Sequence, residues 1–140
     1  MRVDMGSFQD RITAWTGVNA SPHRFGGVEF TLGGTEIGHI HSNGMVDIPF
    51  NRKIRDELIA EGKAVPHHIL NETGWITFYI RSSADVEAAI WLFRLSYLFY
   101  ASRGNKRALV GDQLNLEAEL AALDMSANLR TIVDGLVVRR

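Results

Sequence analysis

The pattern of apolar and polar positions is sharpest between residues 74 and 100. Ile76, Phe78 and Ile80 alternate with Trp75, Thr77, Tyr79 and Arg81, the period of two that a pleated strand imposes. At Ser82-Ser83 the period changes. Val86, Ala89, Ile90, Phe93, Tyr97 and Tyr100 then form one stripe at helical spacing, and Leu92, Leu95, Leu98 and Phe99 widen it until little polar surface remains. Ser82 followed by Asp85 predicts a capping box at the start of that helix. A helix that is apolar nearly all round is buried on more than one side, so this segment is expected to form the core.

Upstream, Ser7 and Asp10 predict a capped first helix with Phe8, Ile12 and Trp15 on one face and Gly17 as its stop. Residues 20–27, with Pro22, His23 and Gly26-Gly27, read as a loop. Strands are expected at 28–32, 35–42 and 45–50, joined by two-residue primed turns at Gly33-Gly34 and Asn43-Gly44. That register sets Phe30 opposite Ile37, Val28 opposite His39, His39 opposite Ile48, and His41 opposite Val46. The buried face then carries Val28, Phe30, Ile37, His39, His41, Val46 and Ile48, and the other face carries Glu29, Thr31, Glu36, Gly38, Ile40 and Asp47.

Asn51 predicts the cap of a second helix with Ile54 and Leu58 inward and Gly62 past its end. A further hairpin, 66–70 with 75–81 around residues 71–74, is expected to pair Leu70 with Trp75 and to bring His67 onto an apolar face. Residues 103–107 read as a basic loop. Leu116, Leu120 and Leu123 mark a short helix, and Ser126 caps a last one, carrying Leu129, Ile132 and Val133 and stopping at Gly135. The order α-β(3)-α-β(2)-α plus two C-terminal helices predicts a single α+β domain over 1–140. Its antiparallel sheet has about five strands and helices on one face.

Composition narrows the function. Charged residues are 22% and the net charge is −1, so no global field draws the chain to nucleic acid or to a membrane surface, and neither partner is expected. The absence of cysteine excludes disulfides, thiolate nucleophiles and Cys-based metal sites. The first ten residues lack the apolar run of a signal peptide, and no apolar segment is long enough to span a bilayer. A soluble, cytoplasmic protein is expected. The surplus of apolar surface on the long helix predicts a homodimer, or else full cover by residues 113–135.

The chemistry-bearing residues are few. His39-x-His41 sets two imidazoles on one strand face, and His67 joins them from the second hairpin. Among Val28, Phe30, Val46 and Ile48, desolvation favours the neutral imidazole, the form that a general base needs. His39 and His41 are therefore the candidate catalytic residues, with His67, Arg94 and Tyr97 as candidate ligand contacts. No Asp or Glu falls on that derived face, so neither a metal nor another cofactor is expected. Asp47, on the opposite face, reads as a solvated carboxylate. Arg94 reads first as an ion-pair partner of Glu87 or Asp85. No GxGxxG, Walker or GxSxG pattern occurs.

Two resemblances add to this reading. The run PHRFGGVEFTLGGTEIGHIHSNGMVDIPF, continued by RDELIAEGKAVPHHIL and GWITFYIRSSADVEAAIWLFRLSYLFY, resembles the luciferase-like domain family. Its members are mostly bacterial proteins of unknown function and are similar to fungal luciferases. The resemblance implies, for the fungal members, an oxygen-dependent, cofactor-free oxidation of a hydroxypyrone, and it assigns no catalytic residue here. His68-x-Leu70, Trp75-x-Thr77 and Ser96-Tyr97 are similar to the ending of MmcQ/YjbR-like proteins, whose element order, shared with secretion chaperones, supports the fold. Together these readings predict a small aromatic ligand in a pocket between the sheet and the long helix. A non-enzymatic homodimeric binding module is the alternative, and DNA binding ranks last.

Overall fold

The computed structural model describes residues 3–70, 72–104 and 106–137. Asn71 of the expected second hairpin turn and Asn105 of the basic loop lie outside them.

Most helix starts follow from one short polar side chain. Asn51 accepts from the Ile54 amide at 2.9 Å and opens α2 (Arg52–Ala60). Ser82 accepts from Asp85 at 3.2 Å and opens α3 (Ser83–Ala101). Asn115 and Ser126 do the same for α5 (Leu116–Ala122) and α6 (Ala127–Leu136). The first helix corrects the expectation: α1 (Met5–Thr13) is capped by Asp4, whose carboxylate accepts from the Ser7 amide at 3.0 Å. Asp4 captures Ser7 as a donor, so the helix begins before the serine. Two smaller corrections lie near the C-terminus. Lys106 and Arg107 sit in a short helix α4 (Lys106–Val110), not in a loop, and Gly135 lies inside α6.

Among the described residues the sheet has six antiparallel strands, one more than the roughly five expected, in the order β1-β2-β3-β4-β6-β5. The additional strand is β1 (Val18–His23), in the stretch expected to be mostly loop, which pairs along its whole length with β2 (Gly27–Leu32). Its sequence, VNASPH, has little β-propensity. It is an edge strand, where Pro22 is tolerated because no second neighbour needs its missing N–H. At the far edge, β5 is only Val65–Pro66, pairing Val65 with Thr77 and Pro66 with Ile76 of β6 (Trp75–Tyr79). The expected pairing of Leu70 with Trp75 does not form. The His67 ring nitrogen Nδ1 accepts from the Ile69 and Leu70 amides at 3.1 and 3.0 Å, a local bond that competes with the ladder and turns the chain away.

The central register departs from expectation twice, each time by one residue. Between β2 and β3 (Thr35–Ile40), Leu32 pairs with Thr35 and Thr31 with Glu36, but Phe30 then pairs with Gly38 and Glu29 with His39. Ile37 is the extra residue of a β-bulge. Between β3 and β4 (Met45–Pro49), the Gly44 amide donates to the His41 carbonyl and the His41 amide to the Met45 carbonyl. This makes a three-residue connection, so His39 pairs with Asp47, not Ile48. Because side chains alternate across a strand, a slip of one exchanges the faces.

One face now carries Phe30, Leu32, Ile40, Val46, Ile48 and Ile76, all fully buried. The helices α1 and α3 pack there through Phe8, Phe30 and Phe93, whose ring centroids lie 5.3 to 6.5 Å apart. The cover of α3 comes from the chain itself. Leu116 and Leu120 of α5 are buried, Arg94 reaches Glu119 at 3.2 Å, and the Trp91 indole donates to the Asp124 carbonyl.

A buried hydroxyl ties α3 to the bulge: Ser96 Oγ donates to the Ile37 carbonyl at 2.8 Å. Ser96→Ala leaves that carbonyl unpaired, and a stability loss of about 1 kcal/mol is expected. Denaturant unfolding of the variant checks it, and an unchanged midpoint would count against the tie.

Candidate functional site at the outer face of the sheet

The one-residue shifts place His39, His41, Asp47 and Thr77 on the sheet face away from α3. The expectation that both histidines lie among Val28, Phe30, Val46 and Ile48 is therefore corrected, and the sheet itself separates them from the long helix. They line an open cleft of about 280 Å³ at the other face. The chain has five histidines, and all five, His23, His39, His41, His67 and His68, border this cleft with Asp47.

Asp47 is its centre. Only 1% of the residue is exposed. Its Oδ2 accepts from His41 Nε2 at 2.9 Å and lies 3.1 Å from His39 Nε2. Its Oδ1 accepts from the Thr77 hydroxyl at 2.6 Å, with His67 Nε2 at 3.6 Å, too long for a hydrogen bond. Burial alone would raise the Asp47 pKa. The bonds from His39, Thr77 and His41 and the charge of His67 outweigh it and hold the carboxyl well below the ordinary carboxylate range.

His39 is 8% exposed and clamped on both sides. Its Nδ1 donates to Glu36 at 2.6 Å and its Nε2 faces Asp47. Burial pushes its pKa down, but the hydrogen bonds to Asp47 and Glu36, with their charges, push it up to about 9. The raised pKa favours the charged ring at neutral pH, against the expectation of a neutral base. His67 behaves oppositely: desolvation lowers its pKa, the charge of Asp47 opposing.

Ring contacts complete the cleft. His23 stacks on His39 with centroids 4.1 Å apart, and His67 stacks on His68 at 4.4 Å. Trp75 lies 5.7 Å from His39 and 5.8 Å from His67. At the mouth, Phe25 is 89% exposed and holds φ +55, the single positive φ of a non-glycine residue among the described residues. The Ser42 hydroxyl donates to its carbonyl at 3.2 Å. Strain of this kind persists only where the surrounding structure imposes it, and it clusters at functional sites.

The remaining expected contacts are elsewhere. Tyr97 is fully buried and its hydroxyl donates to the Thr16 carbonyl at 2.7 Å. Arg94 lies over the rings of Trp15 and Tyr97 and pairs with Glu119. The expected partners of Arg94 are otherwise engaged: Glu87 binds Arg11 at 2.6 Å and Asp85 accepts from the Arg81 amide. Neither Arg94 nor Tyr97 borders the cleft. The reading from sequence missed His23, His68, Thr77 and Glu36, and it put Asp47 on the right face with the wrong company. The signal available was the parity of His39, His41 and Asp47, which a three-residue turn at Asn43-Gly44 makes equal.

No curated protein and no solved structure matches the chain. The family model described as Luciferase domain matches residues 34–96, a span that holds His39, His41, Asp47, His67, His68 and Thr77. Over that stretch, the chain is similar to the luciferase-like domain family.

Proposed function

We propose that the histidine cleft binds a small planar aromatic ligand carrying an acidic hydroxyl. The observation that carries this reading is the gathering of all five histidines around one buried carboxylate in an open cleft. Stacked imidazoles lining the cleft offer flat surfaces for a ring, with Trp75 beside His39. A cleft of about 280 Å³ sits at the small end of the range for such ligands. His41 Nε2 bonds to Asp47, which leaves the other ring nitrogen to hydrogen-bond a ligand hydroxyl. Oxidation by oxygen, which the resemblance implies for the fungal members, is the first reaction class to assay once a ligand is found.

Hydroxypyrones and their O-methyl ethers, titrated into metal-free protein with EDTA present, test the reading through tryptophan emission. Saturable one-to-one binding is expected for the free hydroxyl compounds. It should weaken at least tenfold in His41→Gln and stay unchanged in Arg94→Gln, which lies away from the cleft. No saturable binding by any compound, or equal losses in both variants, would sink it.

A further inference from the structure

We propose that His39 Nε2, His41 Nε2 and Asp47 Oδ2, with His23 as a fourth donor, form a binding site for a divalent first-row transition metal. Three atoms converge without rearrangement of the strands: the two imidazole nitrogens lie 3.1 and 2.9 Å from the same carboxylate oxygen. Ligand atoms bound to one metal at about 2.0–2.2 Å are spaced much like this. One ring nitrogen from each of His23, His39 and His41 also falls within 4.8 Å of the others. Two imidazoles and one carboxylate are a donor set that suits Fe(II), Co(II) or Zn(II), and it leaves positions open for a ligand.

The outer atoms of these groups strengthen the assignment. A metal-ligating histidine usually donates its other N–H to a carboxylate or carbonyl, which fixes the tautomer. His39 Nδ1 does so to Glu36 at 2.6 Å, and His23 Nδ1 faces Glu29 at 3.4 Å. Asp47 keeps Oδ1 on the Thr77 hydroxyl, so Oδ2 is the oxygen left for a metal. The neighbouring trio Asp47, His67 and His68 also gathers its donors within 4.8 Å. It lacks this arrangement: His67 Nδ1 accepts from two backbone amides, so it has no N–H to donate to a carboxylate and cannot take up the proton that Nε2 would give up to a metal. The geometry thus separates the two histidine groups.

The site shares the cleft with the ligand reading but does not depend on it, and its test contains no organic ligand. The whole chain, stripped with EDTA and dialysed, is titrated with Co(II) followed by visible absorption, and with Zn(II) by calorimetry. One equivalent should bind with micromolar or tighter affinity, and Co(II) should develop the d–d bands of a nitrogen-containing site. His41→Gln should lose at least tenfold in affinity. Glu36→Ala, at a residue that touches no metal, should lose ten- to a hundredfold by removing the acceptor that holds His39. His68→Gln should change nothing. Absence of stoichiometric binding by the unaltered protein overturns the proposal whatever the variants do. So does a loss confined to His68→Gln, or full affinity in Glu36→Ala with circular dichroism showing the native fold.

Discussion

Gly38→Ala is expected to cost roughly 2–5 kcal/mol of stability, the sum of backbone strain and overpacking. Gly38 holds φ +144, and a Cβ there would sit 2.5 Å from Phe93 Cε1, 3.0 Å from Ile48 Cγ1 and 3.2 Å from the Asp47 carbonyl. Phe93 cannot yield easily, because it is fully buried against Phe8 and Phe30. The residue is part of the bulge that turns His39 outward, so the damage reaches the cleft as well. Urea unfolding and ring signals of His39 check both parts. An alanine variant as stable as the parent would mean that the bulge is not formed as described.

The second large effect concerns pH and Asp47 in metal-free protein. Asp47 has a depressed pKa, so its contribution is present above the unfolded carboxyl value and fades as pH falls. The pKa of His39 is raised from 6.5 to about 9, so its contribution is complete below pH 6.5 and is lost as pH rises through 9. Stability should therefore peak between about pH 5 and 6.5 and decline by roughly 2–3 kcal/mol towards pH 9. In Asp47→Asn the buried imidazolium loses its partner, and a cost of roughly 3 kcal/mol is expected at pH 6. The alkaline decline should flatten in the same variant, because little raised pKa remains to be lost. Denaturant midpoints across the pH series decide it: a variant that keeps the parent's slope would separate His39 from Asp47.

Much of this fold was legible because local rules and burial agreed. Ser82, Asn51 and Ser126 cap the helices where short polar side chains precede helical stripes, and α3 is the core that its stripe demands. What failed was register. Gly33-Gly34 and Asn43-Gly44 were found as turns, yet the turn alone does not fix pairing beyond it. Ile37 enters the core as a bulge because Ser96 binds its carbonyl and Gly38 admits Phe93. Those are contacts from a segment some sixty residues away. The strand β1 was invisible for a related reason: Asn19, Ser21 and Pro22 carry no strand signal, and pairing with β2 supplies the order. One misplaced residue in each hairpin was enough to hide the cleft, since it parted His39 and His41 from Asp47.

The claim on which the rest depends is that His39 shares the carboxylate of Asp47 at the outer face and does not lie in the core. NMR titration of the histidine rings in metal-free protein, for the parent and for Asp47→Asn, tests it most directly. Here His39 should stay charged until about pH 9 in the parent and titrate clearly lower in Asp47→Asn. A His39 that is already neutral below pH 6.5, and indifferent to Asp47→Asn, would contradict it.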